Sequence, residues 1–131
     1  MDPAAVADYL SRMSAEKHAG GCHCGKVRYE VDIDVAKPVI SCNCSMCGRS
    51  GTLLMFVPAA QFTLLSGEDA LTDYQFNKHV IHHLFCRVCG IKSFARGVDR
   101  TGGATVAVNT RCLDDVDIAR LNVTAFDGKS R

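Results

Sequence analysis

Seven of the eight cysteines in this chain fall into three short clusters, and these limit its possible folds more than any other feature. They are Cys22-His23-Cys24-Gly25, Cys42-Asn43-Cys44-Ser45-Met46-Cys47-Gly48 and Cys86-Arg87-Val88-Cys89-Gly90. Two thiols separated by one or two residues can point at one ion. The glycine after each cluster lets the backbone turn sharply, so that amide N–H groups face the sulfurs. A fold for this chain must bring such turns together around metal.

Thiolates are soft ligands that suit zinc or an iron–sulfur centre, and the runs do not match ferredoxin spacings, which favours zinc. Cys22, Cys24, Cys86 and Cys89 would supply four thiolates, a closed tetrahedral site of the structural kind. Cys42, Cys44 and Cys47 would then supply three and leave one position open, the pattern of catalytic zinc. A closed site of Cys44, Cys47, Cys86 and Cys89, with Cys22, Cys24 and Cys42 as the open set, fits spacing alone nearly as well. Cys112, alone in Asn109-Thr110-Arg111-Cys112-Leu113, would close the second site if it served as an eighth thiolate. A lone cysteine among apolar neighbours more often acts as a small buried residue.

A chain of 131 residues reads as one domain. Its formal net charge of +1, without a basic stripe, argues against nucleic-acid binding through phosphate contacts. The longest apolar run, Leu53 to Val57, is far too short to span a bilayer. Met1-Asp2-Pro3-Ala4-Ala5 has neither a basic n-region nor a long h-region, so no signal peptide is expected and the default location is cytoplasmic. In a reducing compartment, clustered cysteines signal metal or redox chemistry rather than disulfides.

Asp2 and Pro3 suit the start of a short helix over residues 2–13, with Val6, Tyr9, Leu10 and Met13 on one apolar face. This defines an N-terminal helical extension, 1–19, ahead of a zinc domain, 20–131. Strict alternation of Val27, Tyr29, Val31 and Ile33 with charged residues predicts a half-buried strand. Further strands are expected at Val39-Ile40, Leu53 to Val57, Phe62 to Leu65, Leu71 to Phe76 (as the hairpin partner of the preceding one), Lys78 to Phe85, Ile91 to Ala95 and Ala104 to Val108. One or two helical turns are expected from Asp114 to Leu121. Many short strands and few helices imply a mainly β domain.

His23 lies between two ligand candidates and should point away from that metal. Alternation along the strand expected from Lys78 to Phe85 puts His79 and His83 on one face and His82 on the other, and either face could reach the open site. Arg49 and Arg111 are the best candidates for gripping a carboxylate.

Together, Gly21-Cys22-His23-Cys24-Gly25-Lys26-Val27-Arg28-Tyr29, Cys42-Asn43-Cys44-Ser45-Met46-Cys47 with Ser50-Gly51, Phe85-Cys86-Arg87-Val88-Cys89-Gly90 and Val108-Asn109-Thr110-Arg111-Cys112-Leu113-Asp114 carry a resemblance. They resemble the glutathione-dependent formaldehyde-activating enzyme family, whose domain is shared with centromere protein V. The resemblance runs from about Gly20 to Gly128, with the motifs in order. It implies several small coiled antiparallel sheets around two zinc ions. It assigns Cys22, Cys24, Cys86 and Cys89 to structural zinc and Cys42, Cys44 and Cys47 to catalytic zinc with an open position; no catalytic side chain is assigned. The implied reaction is that of a carbon–sulfur lyase run toward addition, joining glutathione and formaldehyde as S-hydroxymethylglutathione. The implied partners are a small-molecule thiol and aldehyde, with neither nucleic acid nor membrane. Asn43 stands where the family often has His.

The residues fit that chemistry. Coordination removes the proton of a thiol whose free pKa is about 8.5. Three thiolates already overcompensate the charge of a zinc ion, which favours activating a nucleophilic thiol over polarising an aldehyde. A second reading is a non-catalytic, zinc-stabilised binding or scaffold domain, as the likeness to centromere protein V allows.

Overall fold

A computed structural model of the chain describes residues 15–76 and 78–130. The helix expected over 2–13 lies outside them. Two sheets face each other. The first has the order β1-β2-β5, from Glu16–Gly21, Arg28–Ile33 and Phe62–Ser66. The second has seven strands in the order β10-β3-β4-β9-β8-β7-β6. These are β3 Val39–Cys42, β4 Leu54–Pro58, β6 Leu71–Tyr74, β7 His82–Cys86, β8 Phe94–Val98, β9 Ala104–Asn109 and β10 Val123–Phe126. Among the described residues one α-helix, α1, spans Ser45–Ser50. The protein is thus mainly β. Among the described residues no helix is long and apolar enough to cross a membrane.

The alternation in β2 has the expected effect: Tyr29, Val31 and Ile33 are buried while Arg28, Glu30 and Asp32 are half-exposed. Tyr29 and Phe62 from the first sheet meet Phe94 of β8, with ring centroids 4.9, 5.9 and 4.7 Å apart around the trio. Val31, Ile33, Val39, Val57, Val106 and Val108 extend this core. Each such side chain, fully buried, contributes about 1.5–3 kcal/mol. Arg96 lies over Phe62 and Phe94, 5.5 and 5.3 Å from their centroids, and caps the trio with a cation–π contact.

Several local expectations need correction. Phe62–Ser66 and Leu71–Tyr74 do not form a hairpin: β5 pairs with β2, and β6 pairs with β7. Gly67, at φ +89°, and the 3-10 turn Glu68–Ala70 carry the chain from one sheet to the other. The strand expected from Lys78 starts only at His82, and His79 sits before it at φ +56°. Ile91 to Ser93 is irregular, and β8 begins at Phe94. The helix expected from Asp114 is a single 3-10 turn, Ile118–Arg120. The α-helix and two of the strands have no counterpart in the sequence reading. α1 is too short to show a period. β1 begins at Glu16, ahead of the boundary placed at Gly20, and includes Ala19-Gly20-Gly21. β10 joins β3 in parallel by a long connection.

Candidate metal centres

Two turns, one from each sheet, build the first centre. Cys22 and Cys24 lie between β1 and β2; Cys86 ends β7 and Cys89 follows it. Both turns close alike. The Cys22 N–H donates to the Val27 carbonyl and the Cys86 N–H to the Ile91 carbonyl, each at 3.1 Å. Gly25 and Gly90, at φ +84° and +79°, take the left-handed step that this closure requires. Amides then face sulfur: Val27 N–H reaches Cys22 Sγ at 3.3 Å, and Val88 N–H reaches Cys86 Sγ at 3.4 Å.

The four sulfurs lie within 4.8 Å of one another. Cys24 Sγ is 3.6 Å from both Cys22 Sγ and Cys86 Sγ. Corners of a tetrahedron with Zn–S bonds of about 2.3 Å stand about 3.8 Å apart, so the donor set and its spacing fit such an ion. Thiols this close cannot all ionise unaided. Burial opposes the charge on Cys89, but amide N–H groups of Cys24 and Ile91 and neighbouring thiols draw it down to about 6. At Cys24 the Lys26 amide favours the thiolate, yet burial and three adjacent sulfurs push it up to about 11. A cation would relieve this conflict.

The second centre forms where β3 runs into α1. Cys42 ends β3, beside Phe126 of β10. Cys44 caps α1, its Sγ accepting from the Cys47 N–H at 3.3 Å, and the Cys44 N–H reaches Cys42 Sγ at 3.5 Å. A sulfur at the N-cap uses donors that the helix leaves unpaired. The sulfurs of Cys42, Cys44 and Cys47 lie within 4.8 Å of one another, and no fourth Cys, His, Asp or Glu joins them among the described residues. Burial, then the hydrogen bond with Cys44 and its charge, push Cys47 up to about 11. At Cys44 burial opposes ionisation, but the Cys47 amide and the two flanking thiols lower it.

Of the two divisions that spacing allows, the sulfurs gather as Cys22/Cys24/Cys86/Cys89 and Cys42/Cys44/Cys47, and each group could hold a metal ion. Cys112 joins neither. It lies in the 3-10 turn Thr110–Cys112, where burial and the charges of Cys22 and Cys89 push it up to about 11, so it stays a thiol. His23 is exposed. His82 pairs with Asp73 at 2.7 Å, and His83 is buried against Lys92, so the alternation puts no histidine at either centre. Arg49 bonds back to the Ser45 carbonyl within α1, and Arg111 Nε donates to the Gly51 carbonyl at 3.0 Å. A cleft of about 500 Å³ opens beside the four-cysteine centre; Cys22, His23, Lys92, Arg111, Cys112 and Ser50 of α1 contribute to its walls.

Asn43 has a job of its own. Its Nδ2 donates to Asp127 at 3.0 Å, and its Oδ1 accepts the Lys129 N–H at 2.9 Å. This lays Gly128 against the three-cysteine group, where an added Cβ would come within 2.5 Å of Cys42 Sγ. Gly128→Ala is therefore expected to weaken metal retention at this centre by about 1–3 kcal/mol, the usual cost of overpacking. Competition with a chromophoric chelator would show one of two bound ions leaving earlier, the other unchanged.

The family model for glutathione-dependent formaldehyde-activating enzymes matches residues 17–127, a span that contains both centres. The chain belongs to that family. A crystal structure of a Rhodobacter sphaeroides protein, solved as a structural-genomics target, shares 30% sequence identity with this formaldehyde-activating enzyme family member. It matches with a TM-score of 0.70, over 81% of this chain and 99% of its own.

Two side chains of this family member escaped the sequence reading. Asn109 is buried, accepts N–H groups of Leu53 and Arg111 at 3.3 Å each, and donates to the Lys92 carbonyl at 3.0 Å. It thereby joins three segments lining the cleft. Lys92 sat in a run read as strand, and nothing local marked it as buried. Its ammonium donates to His83 Nδ1 at 2.7 Å. Burial, then the Lys92 charge, lowers His83 to about 4 from its ordinary 6.5. A depressed histidine binds protons more readily when unfolded. Stability is therefore full above pH 6.5 and falls as pH drops toward about 4, by up to about 1.4 kcal/mol per unit. His83→Gln, which keeps an acceptor but does not titrate, should flatten that part of the urea-denaturation profile.

Proposed function

We propose that the protein is a zinc-dependent carbon–sulfur lyase that joins a small thiol, such as glutathione, to an aldehyde, such as formaldehyde, as an S-hydroxymethyl adduct. The observation that carries this reading is the convergence of Cys42, Cys44 and Cys47 without a fourth protein ligand among the described residues. In this reading Cys22, Cys24, Cys86 and Cys89 hold a structural ion that fastens one sheet to the other. A zinc ion held by Cys42, Cys44 and Cys47 would make a thiol at its fourth position a thiolate at neutral pH.

The remaining work falls to this chain. α1 and β3 fix the three sulfurs, while Asn43 clamps the 127–129 segment beside them. The cleft offers the Arg111 guanidinium to a carboxylate of the incoming thiol. In the addition, the carbon–sulfur bond forms as the carbonyl π bond breaks, and the thiol proton ends on the new hydroxyl. The test is adduct formation, followed with and without protein for several thiols and aldehydes, alongside metal analysis. Two ions per chain and acceleration of at least one pair are expected. Two ions with no pair accelerated would transfer support to the scaffold reading.

A further inference from the structure

Lys92 has no place in the proposal above, yet its position is unusual. Its side chain is withdrawn from solvent, with the residue 9% exposed. No carboxylate among the described residues lies within ion-pair distance of its ammonium. A buried ammonium without a counter-charge is costly, so one is expected nearby. Asp73, whose charge acts on His83, is itself paired with His82 at 2.7 Å.

His83 holds the ammonium but does not neutralise it. Its Nδ1 accepts from Lys92 Nζ at 2.7 Å, which leaves the ring proton of a neutral imidazole on Nε2. The ring is stacked on Phe76, with centroids 5.2 Å apart and planes 24° from parallel. His83 stands opposite Ala95 in the β7–β8 pairing, and Ala95 and Ala107 pack with Cys47 in a small buried cluster that Cys42 and Cys44 also touch, so the ammonium held by His83 lies on the sheet face that carries this centre. Burial holds the Lys92 amine below its ordinary range, and the charges of Cys47 and Cys44 oppose that effect. The influence is mutual, since the Lys92 charge favours the Cys47 thiolate. A pinned cation therefore looks onto a three-thiolate centre from the side where β8 and β9 support it. The four-cysteine centre instead exposes Cys24 to water, which can solvate its excess charge.

We propose that Lys92 is the built-in counter-cation of the Cys42/Cys44/Cys47 centre, positioned by His83, and that it tunes this centre to accept an anionic sulfur as the fourth ligand. The proposal rests on the thiol-binding reading above and deepens it. Each thiolate added around a divalent ion increases the excess negative charge. A fixed positive charge in a poorly solvated setting offsets the last addition most, and favours a thiolate over a neutral ligand such as water. Lys92 acts here as a positioning residue through its charge.

The test uses full-length protein loaded with Co²⁺, whose sulfur charge-transfer absorption reports added thiolate ligands. Titration of the wild type with 2-mercaptoethanol should show saturable binding. In Lys92→Met, which keeps length but removes charge, binding should weaken by about tenfold or more. His83→Leu, which releases the ammonium without removing it, should give a smaller loss in the same direction. Chelator competition should show both variants giving up the three-cysteine ion more readily and retaining the other. Wild-type affinity in both variants would overturn the role of Lys92 and leave the proposed function standing. If Lys92→Met does not fold, His83→Leu decides alone by the same criterion. A wild-type centre that takes up no thiol would overturn the proposed function, and this proposal with it.

Discussion

Cys86→Ser is expected to remove most of the stability of this protein, whereas Cys47→Ser should leave a folded chain. Cys86 is fully buried at the end of β7, and its sulfur lies 3.6 Å from Cys24 Sγ on the turn between β1 and β2. An ion held there would link two sheets otherwise joined by side-chain packing and a few hydrogen bonds, such as that of the Tyr29 hydroxyl to the Ser93 carbonyl. Structural zinc contributes about 10–16 kcal/mol of apparent binding energy in small domains, as much as the roughly 5–15 kcal/mol that stabilises a whole fold. Loss of one thiolate should therefore cost at least about 3 kcal/mol, enough to lower the melting temperature by about 10 °C. Cys47 sits on α1, only six residues long, and packs with Leu54, Ala95 and Ala107 in a small cluster apart from the main core. Its loss should cost about 1–2 kcal/mol. Thermal melts of both variants, with and without chelator, make the comparison. Equal losses would contradict the division into a fastening centre and a reactive one.

Cys44→Ser should produce the largest change in activity. Cys44 supplies a sulfur to the three-cysteine group and caps α1, so its replacement disturbs the ligand set and the short helix that carries Cys47. Adduct formation is expected to fall to the spontaneous rate, while metal analysis finds one ion per chain in place of two. The paired readout matters because formaldehyde adds to thiols without a catalyst. A variant that loses the ion but still accelerates the reaction would show that this centre is not the reactive one.

Much of the core was legible because it is local. The alternation of Tyr29, Val31 and Ile33 places β2 on a core face whatever it pairs with, and the apolar run around Leu54–Pro58 reads as a strand by the same reasoning. The short cysteine runs with a following glycine predict turns with inward amides; Gly25 and Gly90 have the left-handed conformation this requires, whereas Gly48 lies inside α1. Partnership was less legible. Phe62–Ser66 and Leu71–Tyr74 look like the arms of a hairpin, yet each buries more by joining a different sheet, Phe62 against Tyr29 and Leu71 opposite Cys86. The histidine alternation failed because His79 turns before the strand begins.

By itself, the sequence determined the chemistry available to this protein: thiol clusters at metal-binding intervals, on a chain of short alternating strands. That follows from distances of one to three residues, which backbone geometry sets without help from the rest of the molecule. Tertiary structure alone decided which sulfurs meet, that Gly128 lies on Cys42, and that Lys92 is buried beside His83 and within the influence of the Cys44 and Cys47 charges. Those relations join residues far apart in the chain, and they depend on strand register and sheet order, which no local spacing encodes.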